Sequence, residues 1–215
     1  MNSDLSFIHR FEPGNLEAPP LLLLHGTGGD ENDLLPLGQA VAPGSPLLSV
    51  RGKVLEHGMP RFFKRLAEGV FDEDDVRRRA NELADFVVEA RGKYQLAPLL
   101  ALGYSNGANI AAAMLLLRPD VLSGAMLLRA MVPLREAPKA DLARKPVMIV
   151  SGRSDPIIPS ANSAQLAAML ADAGADVEHR VVPAGHHLSQ TDLMVARGWL
   201  EAVAGNHRKL AASAG

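Results

Sequence analysis

Apolar residues along the chain fall into short runs that alternate with amphipathic stretches, and the two patterns predict different elements. Runs that are apolar at nearly every position are typical of strands covered by helices on both faces; they lie at 21–24, 47–50, 99–102, 124–128 and 146–150. Weaker patterns indicate strands at 7–11 and 177–182. Helical spacing and end signals predict helices over 33–41, 72–91, 164–173 and 190–203, and a helix of small residues after Gly107. This alternation predicts a single α/β domain with a mostly parallel central sheet flanked by helices.

One stretch, residues 51–71, follows neither pattern. Glycines and a proline interrupt it, and it holds several large apolar side chains. Irregular segments of this length are uncommon inside a domain and are often functional, so we expect it to cover part of a cleft. The candidate cleft-wall residues are Met59, Phe62 and Phe63 from this stretch and Met131 from a later loop. No gap between predicted strands is long enough to hold a separate cap domain.

Several helix ends carry recognisable signals. Asp33 is a candidate N-cap, with Pro36 in the first turn, where proline is tolerated. Acidic residues at 72–75 crowd the start of the second helix, where the helix dipole favours negative charge. This electrostatic role explains them better than a metal site does. Ser189 and Asp192 have the spacing of a capping box at the start of the last helix.

The composition limits the classes of function. At 215 residues the chain is long enough for one domain with a substantial core, predicted over 1–205, and the tail at 206–215 is predicted to fray. A formal net charge of −2 offers no basic face for nucleic acid and no polybasic membrane anchor. Without cysteine, the chain has neither disulfides nor thiolate chemistry. It shows no signal-peptide pattern and no apolar run that would span a bilayer, so we expect a cytoplasmic protein.

The sequence Gly103-Tyr104-Ser105-Asn106-Gly107 lies between a predicted strand and a predicted helix. In this G-x-S-x-G pattern the two glycines leave room for a tight turn that lifts the serine hydroxyl above the sheet. The following helix directs its first amides toward the same point, which favours developing negative charge. A glycine-rich turn with an incidental serine would show the same pattern. Here, however, the turn has a predicted strand before it and a predicted helix after it, as the nucleophile turn requires. The pattern therefore predicts Ser105 as a nucleophile.

A serine hydroxyl needs a base, and the base needs an orienting carboxylate. Asp155 and His186 each follow a predicted strand, so both are expected at the carboxyl edge of the sheet beside Ser105. Either residue alone is more often ordinary loop sequence, but the order Ser, Asp, His is that of the α/β-hydrolases. Composition does not distinguish His186 from His187. The first histidine follows the flexible Gly185, and we therefore expect it to turn back toward Ser105.

The oxyanion that forms when a serine attacks a carbonyl needs preorganised hydrogen-bond donors. One is expected to be the backbone N–H of Asn106, directly after the nucleophile. The other is expected to be the N–H of Thr27, in the glycine-rich loop that follows the first apolar run. His25 begins this loop, and we expect it to hold the loop by hydrogen bonding.

Two other binding functions fit these residues less well. A glycine-rich loop after a strand also binds nucleotides, but Glu31 stands where the dinucleotide fingerprint needs glycine, and no P-loop lysine is present. The adjacent His186 and His187 are potential metal ligands, yet the sequence offers no nearby ligand set to complete a site. Neither a metal nor a cofactor is therefore expected.

Five segments resemble the phospholipase/carboxylesterase family of small serine hydrolases, which includes the acyl-protein thioesterases. They are LLLLHGTGGDENDLLPL, RGKVLEHGMPRFFKRLAEGVFDEDD, ALGYSNGAN, VSGRSDPIIP and PAGHHLSQTDL, and they are spread over most of the chain. The form RGKVLEHGMPRFF is similar to a branch of bacterial carboxylesterases related to hydroquinone-resistance hydrolases. The resemblance implies the α/β-hydrolase fold, Ser105, Asp155 and His186 as catalytic residues, Thr27 and Asn106 as oxyanion donors, and, as in many members, a homodimer.

One departure from the family pattern bears on the substrate. Thioesterase and lysophospholipase members commonly have glutamine after the nucleophile, where this chain has Asn106. The resemblance and the short expected cover imply hydrolysis of small-molecule carboxylic esters, with short to medium acyl chains, through an acyl-enzyme. The alternatives are a thioesterase or lysophospholipase that uses the same residues, and a hydrolase fold retained only to bind a ligand.

Overall fold

The computed structural model describes residues 5–136 and 138–213, with side chains up to residue 205. All the strands and helices predicted from the hydrophobic pattern are present, and most of their ends lie close to those predicted. In chain order the elements are β1 (His9–Glu12), β2 (Leu21–Leu24), α1 (Leu35–Val41), β3 (Leu47–Val50), β4 (Val54–Glu56), β5 (Met59–Arg61), β6 (Arg65–Ala67), β7 (Val70–Phe71), α2 (Glu73–Tyr94), β8 (Leu99–Tyr104), α3 (Asn106–Leu117), β9 (Leu122–Leu128), β10 (Pro146–Gly152), α4 (Ser160–Asp172), β11 (Asp176–Val182) and α5 (Gln190–Ser213).

Seven strands form the central sheet, in the order β1-β3-β2-β8-β9-β10-β11. The edge strand β1 is antiparallel to β3, and every other pair of neighbours is parallel. Parallel strands have their carboxyl ends at the same edge of a sheet, and this is where ligands bind in open α/β sheets. The topology therefore brings the loops after β2, β8, β10 and β11 together at one edge.

The central strands are apolar on both faces because helices cover both. On β2, Leu22 and Leu24 pack in the core layer that includes α2, α3 and α4. Leu21 and Leu23 pack in the opposite layer, which includes α1 and α5. This alternation follows from the two-residue period of a strand, and all four leucines are fully buried. The mostly parallel α/β architecture predicted from the sequence is confirmed.

The segment at 51–71 is more regular than predicted. It folds into two short antiparallel hairpins, β4-β5 and β6-β7, rather than an irregular cover. In the first hairpin, His57 and Gly58 both have positive φ. Two-residue hairpin turns of this kind need positive φ at both central residues, and their twist matches that of the flanking strands. Gly69 supplies the positive φ in the second. Two of the glycines that interrupt the sequence pattern, Gly58 and Gly69, therefore lie in hairpin turns, and no separate cap domain lies between β3 and α2.

The predicted N-cap of the first helix is wrong. Asp33 lies in a series of turns, where its N–H donates to the carbonyl of Asp30, and α1 begins after Leu34 with no side-chain cap. Pro36 does lie in the first turn, as predicted. For α2 the expected cap is present: the carboxylate of Asp72 accepts the backbone N–H of Asp75 at 3.1 Å.

The last helix is longer than predicted, because α5 continues to Ser213 rather than ending near residue 203. The side chains of 206–213 and all of 214–215 lie outside the described part of the structure, so fraying of the tail at 206–215 stays a prediction. Among the described residues, no helix has both the length and the apolar character needed to cross a bilayer.

Candidate active site

Ser105 occupies the tight turn between β8 and α3. Its backbone has φ 51° and ψ −112°, a conformation that is unfavourable for a residue with a side chain. The flanking glycines make the turn feasible: a Cβ at Gly103 would collide with the backbone of Gly107, and one at Gly107 would collide with the carbonyl of Leu24. The N–H of Ser105 donates to the carbonyl of Leu128 at 2.8 Å, which anchors the turn to β9. The strained turn presents the hydroxyl at the carboxyl edge of the sheet.

The structure brings Ser105, His186 and Asp155 into one hydrogen-bonded array. Nε2 of His186 lies 3.0 Å from Oγ of Ser105, and Nδ1 lies 2.9 Å from Oδ2 of Asp155. The carboxylate side chain is 2% exposed and the imidazole 13%. An imidazole held in this way has one nitrogen available to accept the serine proton and the other fixed as a donor to the carboxylate. The array has the geometry of a base-activated nucleophile.

The second carboxylate oxygen of Asp155 also accepts hydrogen bonds. Oδ1 accepts the backbone N–H groups of Ile157 at 2.8 Å and of Ile158 at 3.0 Å, so the carboxylate is oriented by the turn that follows β10. Burial opposes the charged form, but the two N–H donors and His186 outweigh it and lower the pKa of Asp155 below its ordinary value. The carboxylate is therefore ionised throughout the neutral range.

The two adjacent histidines have different surroundings. The ring of His186 contacts the serine and the carboxylate, whereas His187 is exposed and only lines the cleft. A hydrogen bond from the hydroxyl of Tyr104 to the carbonyl of His186, at 3.2 Å, holds the backbone at this point. Burial raises the pKa of Tyr104, so this hydroxyl is protonated and able to donate. The structure thus places the first histidine, as the glycine before it led us to expect, beside Ser105.

The loop after β2 is held by His25, the role expected for this residue. The ring is buried; Nδ1 lies 2.6 Å from the carbonyl of Gly26, and Nε2 accepts the backbone N–H of Gly52 at 3.0 Å. Burial lowers the pKa of His25, which keeps Nε2 unprotonated and able to accept. The imidazole therefore ties the glycine-rich loop to the chain after β3.

Thr27 and Asn106, whose backbone amides were predicted to bind the oxyanion, both line the same cleft as Ser105. Asn106 is the first residue of α3, where the N–H groups have no intrahelical acceptor. Among the backbone hydrogen bonds of the described residues, none uses the N–H of Thr27 as a donor. Both amides are consequently free to donate to a group bound beside the serine.

The cleft over Ser105 has a volume of about 340 Å³. Of the four predicted wall residues, only Met131 lines it. Phe62 and Phe63 are instead buried in the core, against the rings of His25 and Phe71 respectively. Met59 is 40% exposed on its hairpin and is not part of the lining. The lining is completed by residues that the sequence did not single out, among them Arg61, Arg65, Phe71, Asn109, Ile157 and Ile158.

Two asparagines one turn apart on α3 hold two segments that contribute residues to the cleft, one directly after Arg61 and one at Met131. Oδ1 of Asn106 accepts the backbone N–H of Phe62 at 2.7 Å, and Oδ1 of Asn109 accepts that of Met131 at 2.9 Å. Residues three apart lie on the same side of a helix, so the helix that follows Ser105 also fixes both segments. The G-x-S-x-G pattern gave no indication of this role, because it depends on contacts distant in sequence.

Arg61 is a second residue that sequence reasoning missed. Its side chain is 4% exposed; Nη1 donates to Oγ1 of Thr27 at 2.7 Å and Nε to the carbonyl of Phe63 at 3.2 Å. Glu56 pairs with its guanidinium at 3.2 Å. A basic residue between apolar neighbours in the sequence Met59-Pro60-Arg61-Phe62-Phe63 was the available signal. Arg61 links the first hairpin to the loop that carries the Thr27 amide.

Arg129, directly after β9, is also fully buried, and it forms an ion pair with Asp192 of α5. The sequence predicted Asp192 only as part of a capping box. The carboxylate does accept the N–H of Ser189 at 2.7 Å, as a capping box requires, but it also faces Arg129. No group of three or more His, Cys, Asp and Glu side chains in the described ranges is arranged to hold a metal ion.

Comparison with known proteins identifies the family. Residues 55–204, more than half of the chain, match the model of the phospholipase/carboxylesterase family. The chain belongs to this family. MhqD, a hydrolase-type protein of Bacillus subtilis (strain 168), is 49% identical over 193 residues, which is 89% of this chain and 96% of MhqD.

Solved structures of family relatives agree closely with this fold. The crystal structure of the Bacillus cereus carboxylesterase is 46% identical, covers 93% of this chain and 96% of its own, and superposes with a TM-score of 0.90. The carboxylesterase from Mesorhizobium loti is 32% identical, with coverage of 93% and 96% and a TM-score of 0.88. The fold predicted from the sequence, an α/β-hydrolase without a cap domain, is therefore confirmed for this member of the phospholipase/carboxylesterase family.

Proposed function

We propose that this protein is a serine carboxylesterase that hydrolyses short- to medium-chain carboxylic esters through an acyl-enzyme. The observation that carries the proposal is the array at the carboxyl edge of the sheet: Oγ of Ser105 is 3.0 Å from Nε2 of His186, and Nδ1 is 2.9 Å from Asp155. A serine hydroxyl is a weak nucleophile unless such a base removes its proton.

In the first half of the reaction, Oγ of Ser105 attacks the ester carbonyl carbon while its proton moves to Nε2 of His186. Asp155 stabilises the resulting imidazolium. The tetrahedral intermediate then collapses, the bond to the alcohol oxygen breaks, and the imidazolium gives its proton to the departing alcohol. Ser105 is left as an ester of the substrate's acid.

In the second half, water replaces the alcohol. His186 takes a proton from water, the hydroxide attacks the acyl carbon, and the second tetrahedral intermediate expels Oγ of Ser105, which recovers the proton. Both intermediates carry an oxyanion. The free N–H groups of Thr27 and Asn106 are the proposed donors to it, because both residues line the cleft and neither N–H is used elsewhere in the described backbone network.

The size of the cleft supports small substrates. A volume of about 340 Å³ is at the lower end of the range for small-molecule sites. The relatives that are named carboxylesterases support the ester as the scissile group. The same acyl-transfer chemistry acts on thioesters and lysophospholipids, and the family description includes phospholipases. Rates on matched substrates are therefore needed to separate these activities.

The experiment is a steady-state comparison of the purified wild-type protein and Ser105→Ala on p-nitrophenyl esters of increasing acyl length, on matched thioesters and on a lysophospholipid. We expect the highest kcat/KM on esters of short to medium acids, and a loss of at least about 10⁴-fold in Ser105→Ala. Higher kcat/KM on thioesters or lysophospholipid would replace the carboxylesterase assignment. No turnover on any substrate would favour a ligand-binding role.

A further inference from the structure

Arg129 and Ser105 occupy equivalent positions at the ends of neighbouring strands. Ser105 follows β8 with φ 51°, and Arg129 follows β9 with φ 57°. Their backbones make equivalent bonds: the N–H of Ser105 donates to Leu128 and that of Arg129 donates to Val150, both at 2.8 Å. A positive φ is unfavourable for a residue with a side chain, so such a residue persists only where its surroundings require it. At Arg129 this backbone conformation sets the direction in which the side chain leaves the sheet.

The guanidinium of Arg129 reaches the loop that carries His186. Nε donates to the carbonyl of Gly185 at 2.8 Å, and Nη2 donates to the carbonyl of His187 at 3.3 Å. These are the two carbonyls on either side of His186. The carbonyl of His186 itself accepts from Tyr104. Three consecutive carbonyls of the loop therefore accept hydrogen bonds from two side chains, Tyr104 at the end of β8 and Arg129 directly after β9.

The same guanidinium is fixed from the opposite side by Asp192. Nη1 lies 2.7 Å from Oδ1 and Nη2 lies 3.0 Å from Oδ2, a two-point pairing that sets the plane of the guanidinium. The carboxylate also accepts from Oγ of Ser189 at 2.7 Å. The side chains of Arg129 and Asp192 are 0% and 1% exposed. One rigid unit thus connects the end of β9, the histidine loop and the first turn of α5.

Stability alone does not account for this arrangement. A buried ion pair contributes little net stability, and replacement by well-packed apolar side chains is often neutral or stabilising. What the ion pair provides is direction: the planar fork of an arginine can hold two carbonyls and a carboxylate in one fixed geometry, which neither an apolar residue nor lysine can reproduce.

We propose that Arg129, oriented by Asp192, is a positioning residue that holds the imidazole of His186 in line with Ser105 and Asp155. The proposal rests on the proposed function, because the geometry matters only if His186 transfers protons. A displacement of about 1 Å at a reacting group can cost roughly 100-fold in rate. Loss of the fork should therefore lower the rate of the chemical step without changing substrate binding in the cleft, which Arg129 does not line.

The test uses the double variant Arg129→Met/Asp192→Leu, which removes both charges together and keeps the volume apolar, so that no unpaired charge is buried. We expect a folded protein whose kcat falls by roughly 30- to 100-fold while KM stays within about 2-fold. The control is Arg118→Met/Asp85→Leu, which removes a more exposed ion pair of the same 2.7 Å length at the end of α3 that is distant from Ser105. It should keep wild-type kcat. A kcat within about 3-fold of wild type in the Arg129 variant would overturn the proposal.

A second measurement separates positioning from general damage to the fold. If Arg129 acts only through His186, the substitutions should cost less than about 3-fold when they are made in a His186→Ala background, because the two effects are then not additive. A further large loss in that background would show that Arg129 acts elsewhere and would overturn the proposal. Arg129→Lys, which keeps the charge but not the fork, serves if the double variant does not fold. It should lose at least about 10-fold in kcat.

Wild-type turnover distinguishes this proposal from the proposed function. If the wild-type protein hydrolyses no ester, the proposed function fails, and the positioning role that rests on it fails with it. If the wild type is active and the Arg129 variants are equally active, only the positioning role fails.

Discussion

The two loops that flank Ser105 are both held by buried or half-buried side chains, but they are held in different ways. The loop after β2 is tied by a neutral imidazole, His25, and by Arg61 through the hydroxyl of Thr27. The loop after β11 is held at successive carbonyls by Arg129 and Tyr104. In the proposed reaction, the first loop positions the backbone N–H of Thr27, which must stay free to donate. The second loop positions the side chain of His186.

This difference explains which atoms of each loop are hydrogen-bonded by the side chain that anchors it. An anchor that bonds the Thr27 hydroxyl leaves the amide of the same residue unused. An anchor that bonds the carbonyls on both sides of His186 fixes the rotation of the backbone and hence the direction of the imidazole. We infer that each loop is restrained through the atoms that the proposed reaction does not use.

Substituting the two adjacent histidines tests the second loop and should have the largest effect. His186→Ala is expected to lose at least about 10³-fold in kcat, as for other members of such arrays. His187→Ala, which removes an exposed side chain, should lose about 10-fold or less. Steady-state kinetics on both variants, with folding checked by circular dichroism, measures the difference. Activity that survives in His186→Ala but not in His187→Ala would show that the base has been assigned to the wrong histidine.

Breaking the anchor of the first loop should have a smaller effect. Arg61→Gln and Thr27→Val each remove the 2.7 Å bond between these residues while the Thr27 amide is retained. Direct loss of an oxyanion donor costs about 10²- to 10³-fold, so we expect this indirect change to cost about 10-fold in kcat. Arg65→Gln controls for the loss of a cleft-lining arginine, because Arg65 also lines the cleft and pairs with Glu56 but does not contact Thr27. Equal rates in all three variants would show that Arg61 does not position the amide of Thr27.

Loss of the contact between Asn106 of α3 and Phe62, which follows the first hairpin, should lower the stability more than the rate. Asn106→Ala keeps the backbone N–H but leaves the buried N–H of Phe62 without its acceptor. An unsatisfied buried donor costs about 1–3 kcal/mol in the free energy of unfolding. Urea denaturation of the variant and the wild type measures this loss. Unchanged stability together with a large fall in kcat would mean that the side chain, rather than the backbone amide, contributes to catalysis.

The smallest predicted effect concerns pH and His25. Because burial lowers its pKa in the folded protein, protonation favours the unfolded chain. The stability that depends on neutral His25 is therefore complete above the unfolded value of about 6.5 and is lost as the pH falls below it toward the folded value. The free energy of unfolding of the wild type should decrease over this range, and His25→Gln should flatten the decrease.

Some slope should remain in His25→Gln, because burial also lowers the pKa of His179. Identical slopes for wild type and His25→Gln would contradict the assignment of a neutral, buried imidazole to this loop.

The elements of the fold were predictable because each depends on local patterns. Runs such as Leu21–Leu24 are apolar at every position only where helices cover both faces, so they identify the central strands directly. The hairpins at 54–71 were missed because His57-Gly58 forms a turn only when its flanking strands pair. The array of Ser105, Asp155 and His186 was predictable because the chemistry restricts the residue types and the α/β-hydrolase topology restricts their order along the chain.

The supporting residues were harder to predict because their roles depend on distant contacts. Phe62 and Phe63 were expected in the cleft and lie in the core, since an apolar side chain carries no sequence signal that separates the two. Arg129 gave one signal that was not used: it is a single charged residue inside the apolar stretch Leu127-Leu128-Arg129-Ala130-Met131, directly after a strand. A buried charge at that position requires a partner, but nothing local identifies that partner as Asp192.

The central claim, that Ser105 is a nucleophile activated by His186 and Asp155, is tested most directly by covalent labelling. A fluorophosphonate reacts with an activated serine in the same way as an ester but does not turn over. Mass spectrometry after digestion should find one adduct, on the peptide containing Ser105, that forms rapidly in the wild type and at least about 10³-fold more slowly in His186→Ala. An unlabelled Ser105 in folded wild-type protein, or labelling that does not depend on His186, would contradict the account.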